Sequence, residues 1–314
     1  MARAIVPRSI IIDTDPGQDD AVALLLAFAE PDALDVRAVT TVAGNVELDK
    51  TTANALRIRD LARRPDVPVF AGAARPLLAP LETAEFVCGP DGLAGAGLPP
   101  ATSKASAGHA AEAIVRIVRE APAGSVTLCP LGPLTNIALA LRLAPDIAGR
   151  LGGIALMGGA MALGNITPAA EFNFYVDPHA ASVVLEAEVK PTMFGLHLTH
   201  QAIASPRHVE RLAGLASPVG RAVHGMLTRP RPGGLGTSGH PMHDPCVIGW
   251  LLWPELFDGR PCAVEVATEN GPLRGRSTID WNNRLKRPAN AFVVNSIKAD
   301  EFFDRLIASL TRLA

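Results

Sequence analysis

The segment Asp13-Thr14-Asp15-Pro16-Gly17-Gln18-Asp19-Asp20 places four carboxylates within eight positions. It follows the apolar run 10–12 and leads into the apolar stretch 21–28, so a Pro-Gly turn joins a predicted strand to a predicted helix. Carboxylates crowded in such a turn repel one another unless a cation or bound protons neutralise them. Because all the nearby ligand groups are oxygens, the segment favours a hard divalent cation.

Two other interpretations of this segment follow from the residues alone. Asp19 and Asp20 could simply favour the positive end of a helix, as acids often do, but this explains two of the four acids. An Asp-x-Asp after a first strand also occurs in aspartyl-phosphate enzymes, although the Pro-Gly followed by Asp-Asp argues against that chemistry. A metal-binding or catalytic role therefore explains the segment best.

Outward from this segment, short apolar runs alternate with alanine-rich stretches of helical periodicity. The predicted strands are 10–12, 36–42, 67–70, 126–128, 154–157 and 192–196, and the clearest predicted helices are 20–29, 47–62, 110–119, 134–142, 178–186 and 245–252. This alternation predicts one α/β domain over residues 1–314, with a mostly parallel central sheet flanked by helices. Ligands of such sheets bind beyond the carboxyl ends of the strands.

The pattern changes after about residue 230. The Gly/Pro/Ser-rich stretch 229–241 predicts a mobile loop. Short antiparallel strands are predicted at 264–266, 276–279 and 291–295, and a last amphipathic helix at 299–313. These elements are expected to close the structure.

Composition narrows the classes of function. The 314 residues are 48% hydrophobic and 19% charged, which allows a large core. Lys and Arg number 29 against 31 Asp and Glu, with no basic cluster interleaved with aromatics, so we expect a small-molecule partner and not a nucleic acid. The four cysteines lack CxxC spacing and are expected to be reduced thiols. Residues 1–8 are too short for a signal peptide and no apolar run has membrane-spanning length, so we expect no membrane contact and a cytoplasmic protein.

Further motifs follow the acidic segment in order along the chain. They are Thr40-Thr41-Val42-Ala43-Gly44-Asn45, Gly132-Pro133-Leu134-Thr135-Asn136, Met157-Gly158-Gly159, Gly164-Asn165, Ala170-Glu171-Phe172-Asn173, Asp177-Pro178 and His243-Asp244-Pro245. Together with Asp15-Pro16-Gly17 and Asp19-Asp20, this set resembles the signature of the inosine-uridine-preferring nucleoside hydrolases. The resemblance implies a calcium-dependent enzyme that hydrolyses the N-glycosidic bond of ribonucleosides to free base and ribose.

The resemblance also implies roles for individual residues. Asp15, Asp20, Asp244 and the backbone carbonyl of Leu131 would bind Ca²⁺, and Asp19 would be the general base for the attacking water. Relatives often carry threonine at the position of Leu131, but a main-chain oxygen survives a change of side chain. The implied ribose site consists of Asn45, Asn165, Glu171 and Asn173, with Met157 under the sugar and Phe172 nearby. Ordinary loop capping is the alternative role for Asn165 and Asn173. Asp13 is expected to fix the loop through hydrogen bonds.

The group that protonates the departing base is less evident. Imidazole suits proton donation near neutral pH, so His243 beside Asp244 is the candidate, with His240 second. Cys88 stands where relatives often carry histidine, and it is expected to line the base pocket without doing chemistry. His197 stands where relatives tend to carry an acid, and the sequence offers no account of it.

The substrate and the assembly stay open to more than one interpretation. Stretch 229–241 lacks aromatics that could stack a purine, and the base preference leans to pyrimidine or mixed. The alternatives are a non-catalytic nucleoside or ribose binder, and a hydrolase of a modified nucleoside or another N-ribosyl compound. The resemblance implies a homodimer or homotetramer.

Overall fold

The computed structural model describes residues 6–229 and 239–313. The strands are β1 (Arg8–Thr14), β2 (Leu34–Thr41), β3 (Val69–Ala71), β4 (Val126–Pro130), β5 (Gly153–Met157), β6 (Thr192–Phe194), β7 (Ile203–Ala204), β8 (His240–Pro241), β9 (Phe257–Cys262), β10 (Val264–Val266), β11 (Ser277–Ile279) and β12 (Ala291–Ile297). The helices are α1 (Gln18–Ala29), α2 (Leu48–Leu61), α3 (Glu85–Cys88), α4 (Ala110–Glu120), α5 (Thr135–Leu143), α6 (Phe172–Val176), α7 (Pro178–Leu185), α8 (Leu196–Thr199), α9 (Pro206–Ala213), α10 (Pro218–Leu227), α11 (Pro245–Leu252) and α12 (Ala299–Leu310).

The central sheet has eight strands in the order β3-β2-β1-β4-β5-β6-β12-β9. All neighbouring pairs run parallel except β12 with β9, so the prediction of a mostly parallel sheet is confirmed. The chain proceeds outward from β1 in both directions, to β2 on one side and to β4 on the other. The carboxyl end of β1 is therefore the switch point of the topology, where open α/β sheets bind ligands.

Strand β1 is buried on both faces of the sheet. Ile10 and Ile12 pack into one apolar cluster and Ile11 into another, because successive side chains of a strand point to opposite faces. Helix α1 after it is buried almost all round, and Asp19 is its one residue that is not fully buried. The acidic segment is thus held between two rigid, deeply packed elements.

A buried amide fastens β1 to its surroundings. The Asn136 side chain donates to Asp13 Oδ1 (2.8 Å) and to the Thr41 carbonyl (2.9 Å), and it accepts from the Ala73 amide (2.9 Å). Thr40 Oγ1 also donates to Asp13 Oδ1. Burial raises the pKa of Asp13 to about 7 despite these hydrogen bonds. Asp13 therefore links the end of β1 to Thr40 on β2 and to Asn136 beneath the acidic turn. These are hydrogen bonds of the kind expected of it.

The main departures from the predicted elements lie in the C-terminal half. The strand predicted at 291–295 is β12, and it joins the central sheet parallel to β6 as well as antiparallel to β9. Strand β9 was not predicted, because its sequence contains Gly259 and Pro261, which disfavour a central strand. An edge strand such as β9 tolerates both. Helices α9 and α10 were also missed. The strand predicted at 192–196 ends at Phe194, because Leu196 begins α8.

The sequence predicts a mobile loop at 229–241 and no membrane-spanning segment. Residues 230–238 lie outside the described part of the chain, and His240 and Pro241 form β8, which pairs with β7. Among the described residues, no helix combines the length and the apolar character needed to cross a bilayer.

Candidate active site

A cleft opens at the carboxyl ends of β1, β2, β4 and β5, beside the switch point. The predicted site residues that line it are Asp15, Asp19, Asp20, Asn45, Cys88, Leu131, Met157, Asn165, Glu171, Phe172, Asn173, His243 and Asp244. The backbone of His240, the second candidate acid, pairs with Ala204 in the small sheet of β7 and β8. The structure thus gathers residues from most of the chain at one edge of the sheet.

An acidic cluster forms the floor of the cleft. One carboxylate oxygen from each of Asp19, Asp20 and Asp244 lies within 4.8 Å of the others. Asp19 and Asp20 open helix α1, and Asp244 directly precedes α11, which packs against α1. The packing of two helices distant in sequence therefore creates this cluster.

Neutral donors hold the Asp20 side chain. Thr14 Oγ1 donates to its Oδ1 at 2.5 Å, and the Gly17 amide and the Asn45 side chain donate to its Oδ2 at 2.9 and 3.2 Å. Burial and the charge of Asp19 nevertheless raise the pKa of Asp20. The hydrogen bonds fix the orientation of the carboxylate without neutralising it.

Asp15 is enclosed by backbone. A Cβ at Gly44 or at Gly132 would overlap its carboxylate oxygens, so both close approaches require glycine. The Asn45 amide donates to Asp15 Oδ2 at 2.7 Å. Burial, then the charge of Asp20, raises the pKa of Asp15 well above its usual value. The predicted ligand set of Asp15, Asp20 and Asp244 thus lies in the same cleft as the group formed by Asp19, Asp20 and Asp244.

The donor set fits a hard divalent cation. The clustered ligand atoms are all carboxylate oxygens, which calcium and magnesium prefer. Burial and the charges of Asp19, Asp20 and Asp15 also raise the pKa of Asp244 well above its usual value. A bound cation would relieve this repulsion. The Leu131 carbonyl, the predicted fourth ligand, lines the same cleft and accepts from the Asn173 side chain at 2.6 Å.

The opposite wall of the cleft is polar and fixed by backbone contacts. Glu171 caps helix α6, and its carboxylate accepts from the amides of Asn173 (2.8 Å), Gly159 (2.9 Å) and Phe174 (3.1 Å). Burial raises the pKa of Glu171 to about 7 against these hydrogen bonds. Asn165 Oδ1 accepts from the Phe172 amide, so the capping role considered for it is present.

Asn173 presents one particular atom to a ligand. Its side-chain nitrogen donates to the carbonyls of Leu131 and Met157, at 2.6 and 3.2 Å. Its Oδ1 has no partner among residues 6–229 and 239–313. The amide is therefore locked in one orientation, with an acceptor left for a hydroxyl.

A hydrogen bond to a buried hydroxyl group positions the imidazole of His243. Its Nδ1 hydrogen-bonds with the hydroxyl of Thr199 at 2.7 Å, and Thr199 is fully buried. The ring of His200 lies 5.6 Å from that of His243. The sequence does not predict a role for Thr199, because the pattern of a short helix gives no indication of a contact with a residue 44 positions away.

Cys88 and His197 both depart from the resembling family. The Cys88 thiol donates to the carbonyls of Ala84 (3.2 Å) and Asn45 (3.5 Å). Burial, then the charge of Asp15, raises its pKa to about 12, so it is a neutral thiol in the cleft wall. His197 lies in α8, where its Nε2 hydrogen-bonds with the Val294 carbonyl at 2.9 Å. It thereby joins α8 to β12 and is not part of the cleft lining.

Comparison with known proteins agrees with this geometry. The model of the family described as inosine-uridine preferring nucleoside hydrolase matches residues 10–304. A pyrimidine-specific ribonucleoside hydrolase RihA from Shewanella sp. (strain ANA-3) is 44% identical over 96% of both chains. An uncharacterised protein of Schizosaccharomyces pombe is 46% identical over 97% of this chain and 99% of its own length.

Solved structures show the same fold. The plant nucleoside hydrolase PpNRh1 superposes with a TM-score of 0.90 at 32% identity, covering 98% of this chain and 99% of its own. The purine-preferring ribonucleoside hydrolase of Gardnerella vaginalis also gives 0.90, at 27% identity and the same coverage.

Removal of divalent cations should destabilise the protein. Without a cation, the buried carboxyl groups of Asp15, Asp20 and Asp244 must either repel one another or take up protons, as their raised pKa values indicate, whereas a cation that binds the folded state stabilises it. Calcium at one hundred times its dissociation constant should raise the melting temperature of this 314-residue chain by about 4 °C over chelated protein. Differential scanning calorimetry in EDTA and after calcium addition measures the change. Asp244→Asn should respond less, and an unchanged wild-type melting temperature would argue against a cation site.

Proposed function

Since the chain belongs to the inosine-uridine preferring nucleoside hydrolase family, we propose that it is a calcium-dependent enzyme that cleaves ribonucleosides with water into free base and ribose. One observation carries the proposal. Asp15, Asp19, Asp20 and Asp244 share one cleft with the polar wall of Glu171 and its neighbours. An oxygen-rich floor facing hydroxyl-binding amides suits a sugar and a hard cation together.

The reaction creates two charges that need partners. Breaking the C1′–N bond leaves positive charge on the sugar and electrons on the departing base. Asp15, Asp20, Asp244 and the Leu131 carbonyl would hold the calcium ion, which when bound orients the ribose hydroxyls and makes adjacent water more acidic. The negative charges around the sugar also favour the cationic transition state.

Asp19 is the proposed general base. It is the residue of α1 that is not fully buried, and its carboxylate borders the cleft beside Asp20. From there it accepts the proton of the water that attacks C1′. Within residues 6–229 and 239–313 no hydrogen bond engages its carboxylate, unlike that of Asp20, so Asp19 keeps its acceptor oxygens for this water.

The ribose hydroxyls are held by the polar wall. Asn173 offers its Oδ1 as an acceptor, and Asn165 offers its side-chain nitrogen as a donor because its Oδ1 already caps Phe172. Glu171 and Asn45 complete the set, with Met157 packed under the sugar. A site that orients hydroxyl partners this firmly penalises a sugar that lacks one hydroxyl.

His243 is the proposed acid for the leaving group. The hydrogen bond between its Nδ1 and the Thr199 hydroxyl fixes its ring at the cleft, where it delivers a proton to a nitrogen or oxygen of the departing base. Cys88 does not fill this role, because a thiol with a pKa of about 12 is too weak an acid at neutral pH.

The proposed substrates are pyrimidine ribonucleosides or a mixture of pyrimidine and purine ribonucleosides. The support is the 44% identity with a relative named pyrimidine-specific. Cys88 in the cleft wall supports a second candidate, a modified nucleoside or another N-ribosyl compound. A non-catalytic binder is disfavoured, because a binder has no need of Asp19. We also propose a homodimer or homotetramer, which size-exclusion chromatography tests.

A substrate panel tests the proposed reaction. Purified protein with calcium should release reducing sugar from uridine and cytidine faster than from inosine and adenosine. It should release sugar from 2′-deoxyuridine at least about 100-fold more slowly, because the hydroxyl-binding groups are left unpaired. Absence of release from every ribonucleoside would refute the proposal, and preference for inosine would overturn the pyrimidine assignment.

Replacement of the base tests the assigned mechanism. Asp19→Asn keeps the shape of the side chain but cannot accept the proton, so kcat should fall by about 10²- to 10⁴-fold. Calcium binding and ribose inhibition should change little. Asp49→Asn, an exposed acid in the first turn of α2, is the matched control and should keep full activity. Undiminished kcat in Asp19→Asn would remove Asp19 from this role.

A further inference from the structure

The cleft has an apolar side that the proposed chemistry does not use. Ala84 and Phe172 are buried together with Val176, and Val87 and Ile166 pack against them. All of them except Val176 line the cleft: Ala84 and Val87 from the segment around α3, Ile166 from the loop before α6, and Phe172 from the start of α6. The cleft therefore combines a charged floor, which suits a sugar, with an apolar wall, which suits a flat and less polar chemical group.

Phe86 stands out on this wall. It lies in the short helix α3 and lines the cleft, yet its side chain is 57% exposed. Within the described residues its ring stacks on no other aromatic ring and lies under no cation. A large aromatic left exposed inside a ligand cleft is informative, because a bound apolar surface would remove it from water.

Cys88, Val87 and Ile166, which line the same cleft, offer no unpaired hydrogen-bond donor. The Cys88 thiol already donates to the carbonyls of Ala84 and Asn45, and Val87 and Ile166 carry no polar side-chain atoms. In this part of the described cleft, a ligand therefore meets an aromatic face and aliphatic groups. Such a wall recognises the flat face of a nucleobase more readily than its hydrogen-bonding edge.

We propose that Phe86 stacks on the base of the bound nucleoside and determines how tightly the substrate's base is held. This inference rests on the proposed function and adds a base-binding residue to it. Stacking is tolerant of base identity because every base has a π-face, so uracil and cytosine gain equally from Phe86. The contact exists in the ground state and in the transition state alike, so it acts on KM and leaves kcat unchanged.

The test is steady-state kinetics of Phe86→Ala. KM for uridine and for cytidine should rise by about 5- to 150-fold, by the same factor for both, with kcat unchanged. The inhibition constant of free ribose, which has no base, should stay at the wild-type value. Phe86→Trp should restore the wild-type KM, because it supplies an aromatic face again.

A matched control removes another exposed phenylalanine. Phe292 is 37% exposed on β12 and does not line the cleft, so Phe292→Ala should change neither KM nor ribose inhibition. An unchanged KM in Phe86→Ala would overturn the inference while wild-type turnover still upheld the proposed function. An equal rise in KM and in the ribose inhibition constant would also overturn it, since Phe86 would then only shape the cleft. A wild-type protein that releases no base would refute the proposed function itself.

Discussion

Repulsion among buried carboxylates is the constraint around which this protein is organised. Asp15, Asp20 and Asp244 are each almost fully removed from water, and burial together with the charges of neighbouring aspartates, Asp19 among them, raises the pKa of all three. Charges of one sign confined in this way are costly unless bound protons or a cation neutralise them. The cluster offers oxygen ligands of the kind that a hard divalent cation prefers, and the proposed function assigns it that ion.

The fold supplies what this cluster needs. The switch point at β1 brings the loops after β1, β2 and β4 to one edge, and the packing of α11 on α1 adds Asp244. Glycines at positions 44 and 132 make room for the Asp15 carboxylate, and neutral donors from Thr14, Gly17 and Asn45 orient Asp20 without cancelling its charge. The charge is thus left for the ion and the sugar.

Most of the strands and the cleft-lining loops could be predicted from the sequence, for physical reasons. The doubly buried strands appear as apolar runs, and the loops after them carry motifs whose order along the chain identifies the family. Contacts between distant residues left no such signal. The hydrogen bond between Thr199 and His243 and the exposure of Phe86 depend on three-dimensional packing. Strand β9 was missed because edge strands need no apolar alternation.

The most direct measurement is calorimetric titration of the protein with calcium, with and without saturating ribose. If the carboxylates, the ion and the vicinal hydroxyls form one unit, ribose tightens calcium binding, and calcium tightens ribose binding by the same factor. 2-Deoxyribose, which lacks one of those hydroxyls, should do neither. Calcium and ribose affinities that are independent of each other would contradict the account.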